Sequence, residues 1–172
     1  SPTDTALATY GGYLKISSQI SPLDLPPMEL VVGYTGVPHS TRSEVEKVQK
    51  LKKKYPELID GIFQAIGMIS DRAQPLMADQ NKAELGQLMN INHGLLEAIG
   101  VGSRELCELV YASRGAGGAL GAKITGAGGG GCMIAIPGPA GKEPLMTAIR
   151  QAGGRPFATT TGQEGVRLER EA

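Results

Sequence analysis

Lys123-Ile124-Thr125-Gly126-Ala127-Gly128-Gly129-Gly130-Gly131-Cys132, followed by Met133-Ile134-Ala135-Ile136, is the stretch on which the fold turns. Apolar segments flank a dense glycine run, so residues 122–125 and 132–136 read as two strands joined by a tight loop. Glycine removes the Cβ and lets backbone approach a ligand closely. Consecutive N–H groups in such a run suit phosphate oxygens when they point into one concavity. The loop is no P-loop, because no Gly-Lys-Ser/Thr closes it. Nor is it a dinucleotide fingerprint, because the next element reads as a strand rather than a helix. A plain hairpin loop is the competing reading. It is disfavoured because each of four consecutive glycines loses extra chain entropy on folding.

Upstream of the loop the pattern is helical. Thr41-Arg42-Ser43-Glu44 fits a capping box at the head of a charged helix that runs through Lys54. Pro56 suits the first turn of the next helix. Leu58, Ile59, Ile62, Phe63, Ile66 and Ile69 recur at helical spacing, as do Leu85, Leu88, Met89, Leu95 and Leu96. Leu106, Leu109 and Val110 mark a shorter helix. Residues 10–18 and 28–34 read as strands, with Pro22, Pro26 and Pro27 excluding a helix between them. Downstream, Lys142–Gln151 reads as a helix ended by Gly153 and Gly154, and 157–161 with 166–168 as a closing hairpin around 162–165. Strands and helices are partly segregated. The class expected is α+β, a mainly antiparallel four-stranded sheet with helices packed on one face.

Composition narrows the function classes. The 172 residues suffice for one compact domain, and the formal net charge is zero. With no Trp and two Phe, neither a polyanion-attracting surface nor a base-stacking platform is expected, so nucleic acid is not the partner. No segment approaches the length of a membrane span. Cys107 and Cys132 make no disulfide framework and suit a reduced, cytoplasmic protein. His39 and His93 are the only histidines, and two histidines without clustered acids predict no metal site. Lys50, Lys52, Lys53 and Lys54 read as a solvated helix end. Cys132 reads as a small packing residue.

The ten-residue run from Lys123 to Cys132 also resembles the third motif of the GHMP kinases, the superfamily of galactokinase, homoserine kinase, mevalonate kinase and phosphomevalonate kinase. Its form is nearest to the mevalonate kinases, and the Pro at position 2 to the archaeal ones. Ser1-Pro2-Thr3-Asp4-Thr5-Ala6 with Thr9-Tyr10-Gly11-Gly12 resembles the family segment carrying the catalytic aspartate. Thr35-Gly36-Val37-Pro38-His39-Ser40-Thr41-Arg42 resembles its strand-to-helix junction beside the active site. Met89-Asn90-Ile91-Asn92-His93-Gly94-Leu95-Leu96, with Gly100-Val101, resembles a further family segment.

The resemblance implies a ferredoxin-like C-terminal kinase domain over residues 1–172, transferring the γ-phosphoryl group of ATP to the primary hydroxyl of mevalonate. It implies Asp4 as the catalytic residue. Thr125, Gly126, Gly128, Gly129 and Gly130, with Thr41 as a weaker candidate, would contact phosphate or substrate. The family's ATP loop, Pro-x-x-x-Gly-Leu-Gly-Ser-Ser-Ala, does not occur in the 172 residues, nor do the upstream lysine and the Ser and Glu expected to hold magnesium. The expectation is therefore a C-terminal half, inactive alone, whose ATP and Mg²⁺ are held mostly by an N-terminal half. The whole enzyme is expected to be a homodimer. Another GHMP kinase, or a non-catalytic module that binds a phosphorylated ligand or serves assembly, are the alternatives.

Overall fold

The computed structural model describes residues 2–166. They form two compact units, one from residues 2–29 and 160–166 and the other from residues 30–159.

The first unit opens with α1 (Pro2–Tyr10), carrying Asp4 in its first turn. The sequence predicts a strand from residue 10. The helix instead absorbs Tyr10, and Gly11 and Gly12, at φ of 64° and 61°, turn the chain into β1 (Tyr13–Ile16). A second strand, β2 (Ile20–Leu23), pairs antiparallel with it, from Tyr13 opposite Leu23 to Ile16 opposite Ile20. That strand escaped the sequence reading because it contains Pro22. In a two-stranded ribbon both strands are edges, where proline is tolerated.

The expected closing hairpin does not form as predicted. Residues 163–166 pair with the end of α1. Gly12 donates to the Gln163 carbonyl at 2.7 Å and Val166 to that of Ala8 at 2.9 Å. A Cβ on Gly11 would stand 2.1 Å from the Gly165 nitrogen, so this crossing requires glycine. The rest of the expected strand, residues 167–168, lies outside the described residues. Within the unit, the Tyr13 hydroxyl donates to the Pro26 carbonyl at 2.8 Å and rests on the Thr161 hydroxyl.

The second unit holds β3 (Glu29–Tyr34), α2 (Thr41–Lys54), α3 (Pro56–Ala78), α4 (Lys82–Ala98), α5 (Arg104–Arg114), β4 (Gly121–Ile124), β5 (Cys132–Ile136), α6 (Lys142–Gln151) and β6 (Arg155–Thr160). The four strands make one sheet in the order β4-β5-β3-β6. Antiparallel pairing sets Ile124 opposite Met133, and Gly33 opposite Met133 from the other side. The class is α+β, as the pattern predicts. Val31, Ala122, Ile124, Met133 and Ala135 are buried at alternating strand positions, so they share a face. Against them pack Leu106, Leu109 and Val110 of α5 and Leu145 and Ile149 of α6. A second cluster joins Ile59 of α3 to Ile99 and Val101 in the loop after α4.

Pro56 occupies the first turn of α3, as expected. The cap of α2 is one residue earlier than the sequence suggests. Ser40, in extended conformation, accepts from the Ser43 N–H at 3.3 Å, and Thr41 is the first helical residue. Glu44 makes no capping box; it pairs with Lys47 at 2.6 Å. Two glycines bring α4 against β4. A Cβ on Gly86 would stand 2.4 Å from the Leu120 carbonyl oxygen, and one on Gly121 would stand 2.2 Å from that of Gly86.

Candidate functional site

The glycine loop is the turn from β4 to β5. Thr125 opens it and Cys132 closes it, the Thr125 N–H donating to the Cys132 carbonyl at 3.1 Å. Gly126, Gly128, Gly129 and Gly131 have φ between 73° and 80°, the left-handed region that glycine enters without a Cβ clash. The loop is also wedged among other segments. Cβ atoms at Gly128 and Gly130 would stand 2.2 Å from the Val101 carbonyl oxygen and 2.7 Å from that of Val37. At Gly131 the obstacle is the His39 ring, and at Gly129 the Glu44 carboxylate, each at 2.7 Å. The loop therefore rests on the start of α2, the junction before it, and Val101. Sequence reasoning placed these segments beside one another only through the resemblance.

Not every N–H in the run is available to a ligand. Gly129 donates to Val101 at 2.8 Å and Gly131 to Val37 at 3.2 Å. Thr35 ties the far side, its N–H and hydroxyl both reaching the Gly131 carbonyl, at 2.9 and 3.0 Å. Among the described residues, no acceptor engages the N–H groups of Gly126, Ala127, Gly128 and Gly130. Gly126 is exposed, with nothing within 4 Å of where its Cβ would be. Four of the loop's five glycines, Gly128, Gly129, Gly130 and Gly131, thus serve close packing within the protein, and the open approach lies toward Gly126. Thr41 is exposed in the first turn of α2. Asp4 belongs to the first unit, exposed in the first turn of α1.

Cys107 and Cys132 are both free, and burial raises the Cys132 thiol's pKa, which suits packing over nucleophilic attack. Lys52, Lys53 and Lys54 lie exposed in the last turn of α2, where Lys52 meets Asp60 at 2.6 Å. Asn90, in the segment 89–96, accepts from the Ala122 N–H at 3.1 Å and so fixes the start of β4. No sequence signal beyond the resemblance marks that role.

Lys123 is the half-hidden charge beneath the loop. Its ammonium donates to the Ile124 carbonyl at 2.6 Å, and burial pushes its pKa down to about 8. An unfolded lysine keeps its proton to about pH 10.4. Between those values the unfolded chain holds more protons than the folded one, so stability rises with pH across that window. Below pH 8 both forms are protonated and the buried charge costs its full amount. Lys123→Met is expected to raise the melting temperature at pH 7 by a few degrees and to flatten the rise above pH 8. A lower melting point at pH 7, with the alkaline slope unchanged, would show that the ammonium stabilises the strand.

Residues 73–154 match the family described as GHMP kinases C terminal. The chain is 44% identical over 172 residues to the mevalonate kinase of Pyrococcus horikoshii, an alignment covering 96% of this chain and 51% of that protein. To the mevalonate kinase of Pyrococcus furiosus it is 51% identical over 152 residues, covering 84% and 45%. Among solved structures, L. major mevalonate kinase in complex with R-mevalonate aligns with a TM-score of 0.85 at 28% identity, covering 95% of this chain and 53% of that one. The chain spans about half the length of the curated relatives it matches. With its antiparallel sheet, its glycine turn and these relatives in agreement, the chain belongs to the GHMP kinase family, whose C-terminal domain it carries.

Proposed function

We propose that this chain is the C-terminal half of an ATP-dependent mevalonate kinase, with the domain extending over all 172 residues. The observation that carries the reading is similarity to archaeal mevalonate kinases over 96% of the chain, the glycine turn included. In the reaction, the primary hydroxyl oxygen of mevalonate bonds to the γ-phosphorus as the bond to the ADP oxygen breaks. The hydroxyl proton passes to the Asp4 carboxylate. Such transfers depend mainly on positioning and on stabilising charge. The unengaged N–H groups of Gly126, Gly128 and Gly130 and the Thr125 hydroxyl supply donors to phosphate or substrate oxygens. Thr41 and the N-terminus of α2, which meets the loop, add a favourable dipole for negative charge.

The described residues around the loop do not fit magnesium. Glu44, the carboxylate that touches the loop, is 12% exposed and already paired with Lys47. Magnesium takes a near-ideal octahedron of oxygens. No magnesium ligand is assigned to this chain. ATP and its metal belong, in this reading, to the remainder of the enzyme, and the 172-residue chain alone has no kinase activity. The assembled enzyme is a cytoplasmic homodimer that acts on small molecules and not on nucleic acid. Two free cysteines favour a reducing compartment. No described helix is long and apolar enough to cross a membrane.

Gly126 gives the cleanest test of the loop. At Gly129 a side chain would meet Glu44, so lost activity there would mix packing with ligand approach. At Gly126 an added methyl meets open space, and the left-handed φ of 73° costs on the order of 1–2 kcal/mol. In the assembled enzyme Gly126→Ala is expected to lower kcat/KM at least tenfold while the melting point moves only a few degrees. Unchanged activity per folded molecule would make the loop purely structural.

A further inference from the structure

A polar cluster away from the glycine turn joins α4 to α5. His93, on α4, has a side chain only 1% exposed, and neither ring nitrogen has a hydrogen-bond partner. Orphaned polar atoms at such depth are uncommon in folded proteins. Its Nε2 faces Glu97 Oε2, one helical turn on, at 3.3 Å, but without hydrogen-bond alignment. The other oxygen of Glu97 receives the Cys107 thiol of α5 at 3.1 Å. One donor atom from each of the three residues lies within 4.8 Å of the others.

We propose that His93, Glu97 and Cys107 form a binding site for one zinc-class divalent transition ion that clamps α4 to α5. Nitrogen, carboxylate and sulfur together suit a borderline-soft cation such as Zn²⁺, and not Mg²⁺ or Ca²⁺. Zinc bonds of about 2.0–2.3 Å at tetrahedral angles set donor atoms roughly 3.3–3.8 Å apart. The contacts of 3.3 and 3.1 Å fall on different oxygens of Glu97, and a set of one donor atom per residue, all within 4.8 Å, has to draw together by side-chain adjustment to reach that spacing. Three protein ligands leave the fourth position to water. Solvent reaches it past Glu97, whose side chain is 33% exposed.

The charges also match. Burial, and then Arg114, lowers the His93 pKa and keeps the imidazole neutral, the form that binds metal. Burial and the contact with Glu97 push the Cys107 thiol up to about 11, so the ion enters as one proton leaves. Carboxylate, thiolate and dication then sum to zero. That neutrality limits repulsion from Arg114 and Lys123, the cations facing His93. Gly102 backs the site from the loop between the helices. A Cβ there would stand 3.1 Å from Glu97 Cγ and 3.2 Å from Cys107 Sγ, so glycine leaves room for both ligands.

The test uses the 172-residue chain, stripped with a chelator and titrated with Zn²⁺ by calorimetry, then with Co²⁺ as a spectroscopic probe. One equivalent of Zn²⁺ is expected to bind and raise the melting temperature. Co²⁺ should show thiolate-to-metal charge-transfer absorption that Cys107→Ser abolishes and Cys132→Ser preserves. Glu97→Gln, on a partly exposed residue, should weaken Zn²⁺ binding at least tenfold even if Cys107→Ser fails to fold. Absence of stoichiometric zinc binding would overturn the proposal. So would unchanged affinity in Glu97→Gln, or a cobalt band that survives Cys107→Ser.

Discussion

Asp4→Asn in the assembled enzyme is expected to lower kcat by on the order of 10²-fold or more, the scale of a lost proton acceptor. The KM for mevalonate should change less. The substitution separates two roles that one position can serve. Asp4 lies in the first turn of α1, where an acidic residue favours the helix start. Asparagine has nearly the same shape, so the turn should survive. Asparagine cannot take a proton from the substrate hydroxyl. The melting curve should therefore barely move while turnover collapses. Near-wild-type kcat would return Asp4 to a helix-start role and remove the proton acceptor from the mechanism.

Gly86→Ala is expected to destabilise the chain by about 3 kcal/mol, at the upper end for overpacking a tight contact. Intrinsic propensity alone gives the opposite sign, because alanine in a helix interior is about 1 kcal/mol better than glycine. The contact with β4 decides the outcome. The new methyl would lie 2.4 Å from the Leu120 carbonyl oxygen, which belongs to backbone and cannot rotate away. The helix must lift from the strand, loosening Leu85, Met89 and the Asn90 bond to Ala122. Gly94, on the same helix, is the control. Nothing lies within 4 Å of its Cβ position, and Gly94→Ala should stabilise by up to about 1 kcal/mol. Denaturant melts of both variants check the pair. Equal effects of the same sign would show that the α4–β4 approach is not the determinant.

This contrast shows where the sequence is legible. The strand, glycine loop and strand of residues 121–136 could be read directly, because apolar strands around a glycine cluster leave few alternatives. Helices α3 to α5 follow from apolar spacing, and α6, read as ending before Gly153 and Gly154, has the expected limits. Such signals are local. Strand β2 is hidden in the sequence because Pro22 argues against a strand unless its edge position is known. The cap of α2 was misplaced because Ser40 and Thr41 are both good caps, and only backbone geometry chooses between them. Gly86 and Gly121 look unremarkable apart; their meaning lies in a contact between residues 35 positions apart. At the loop, the sequence could not show that Gly129 and Gly131 spend their N–H groups on Val101 and Val37. Counting two histidines without clustered acids likewise could not show that His93, Glu97 and Cys107 bring donor atoms within 4.8 Å of one another, because the thiol comes from a second helix.

The most direct measurement of the central claim is a substrate comparison. This chain would replace the matching C-terminal half of the Pyrococcus horikoshii mevalonate kinase, of which it covers 51%. The hybrid and the isolated 172-residue chain would be assayed for ATP-dependent phosphorylation of mevalonate, phosphomevalonate, homoserine and galactose under identical conditions. The hybrid is expected to phosphorylate mevalonate in clear preference to the other three, with the isolated chain inactive on all. Robust turnover of another of these substrates with mevalonate left untouched, or mevalonate turnover by the isolated chain, would contradict it.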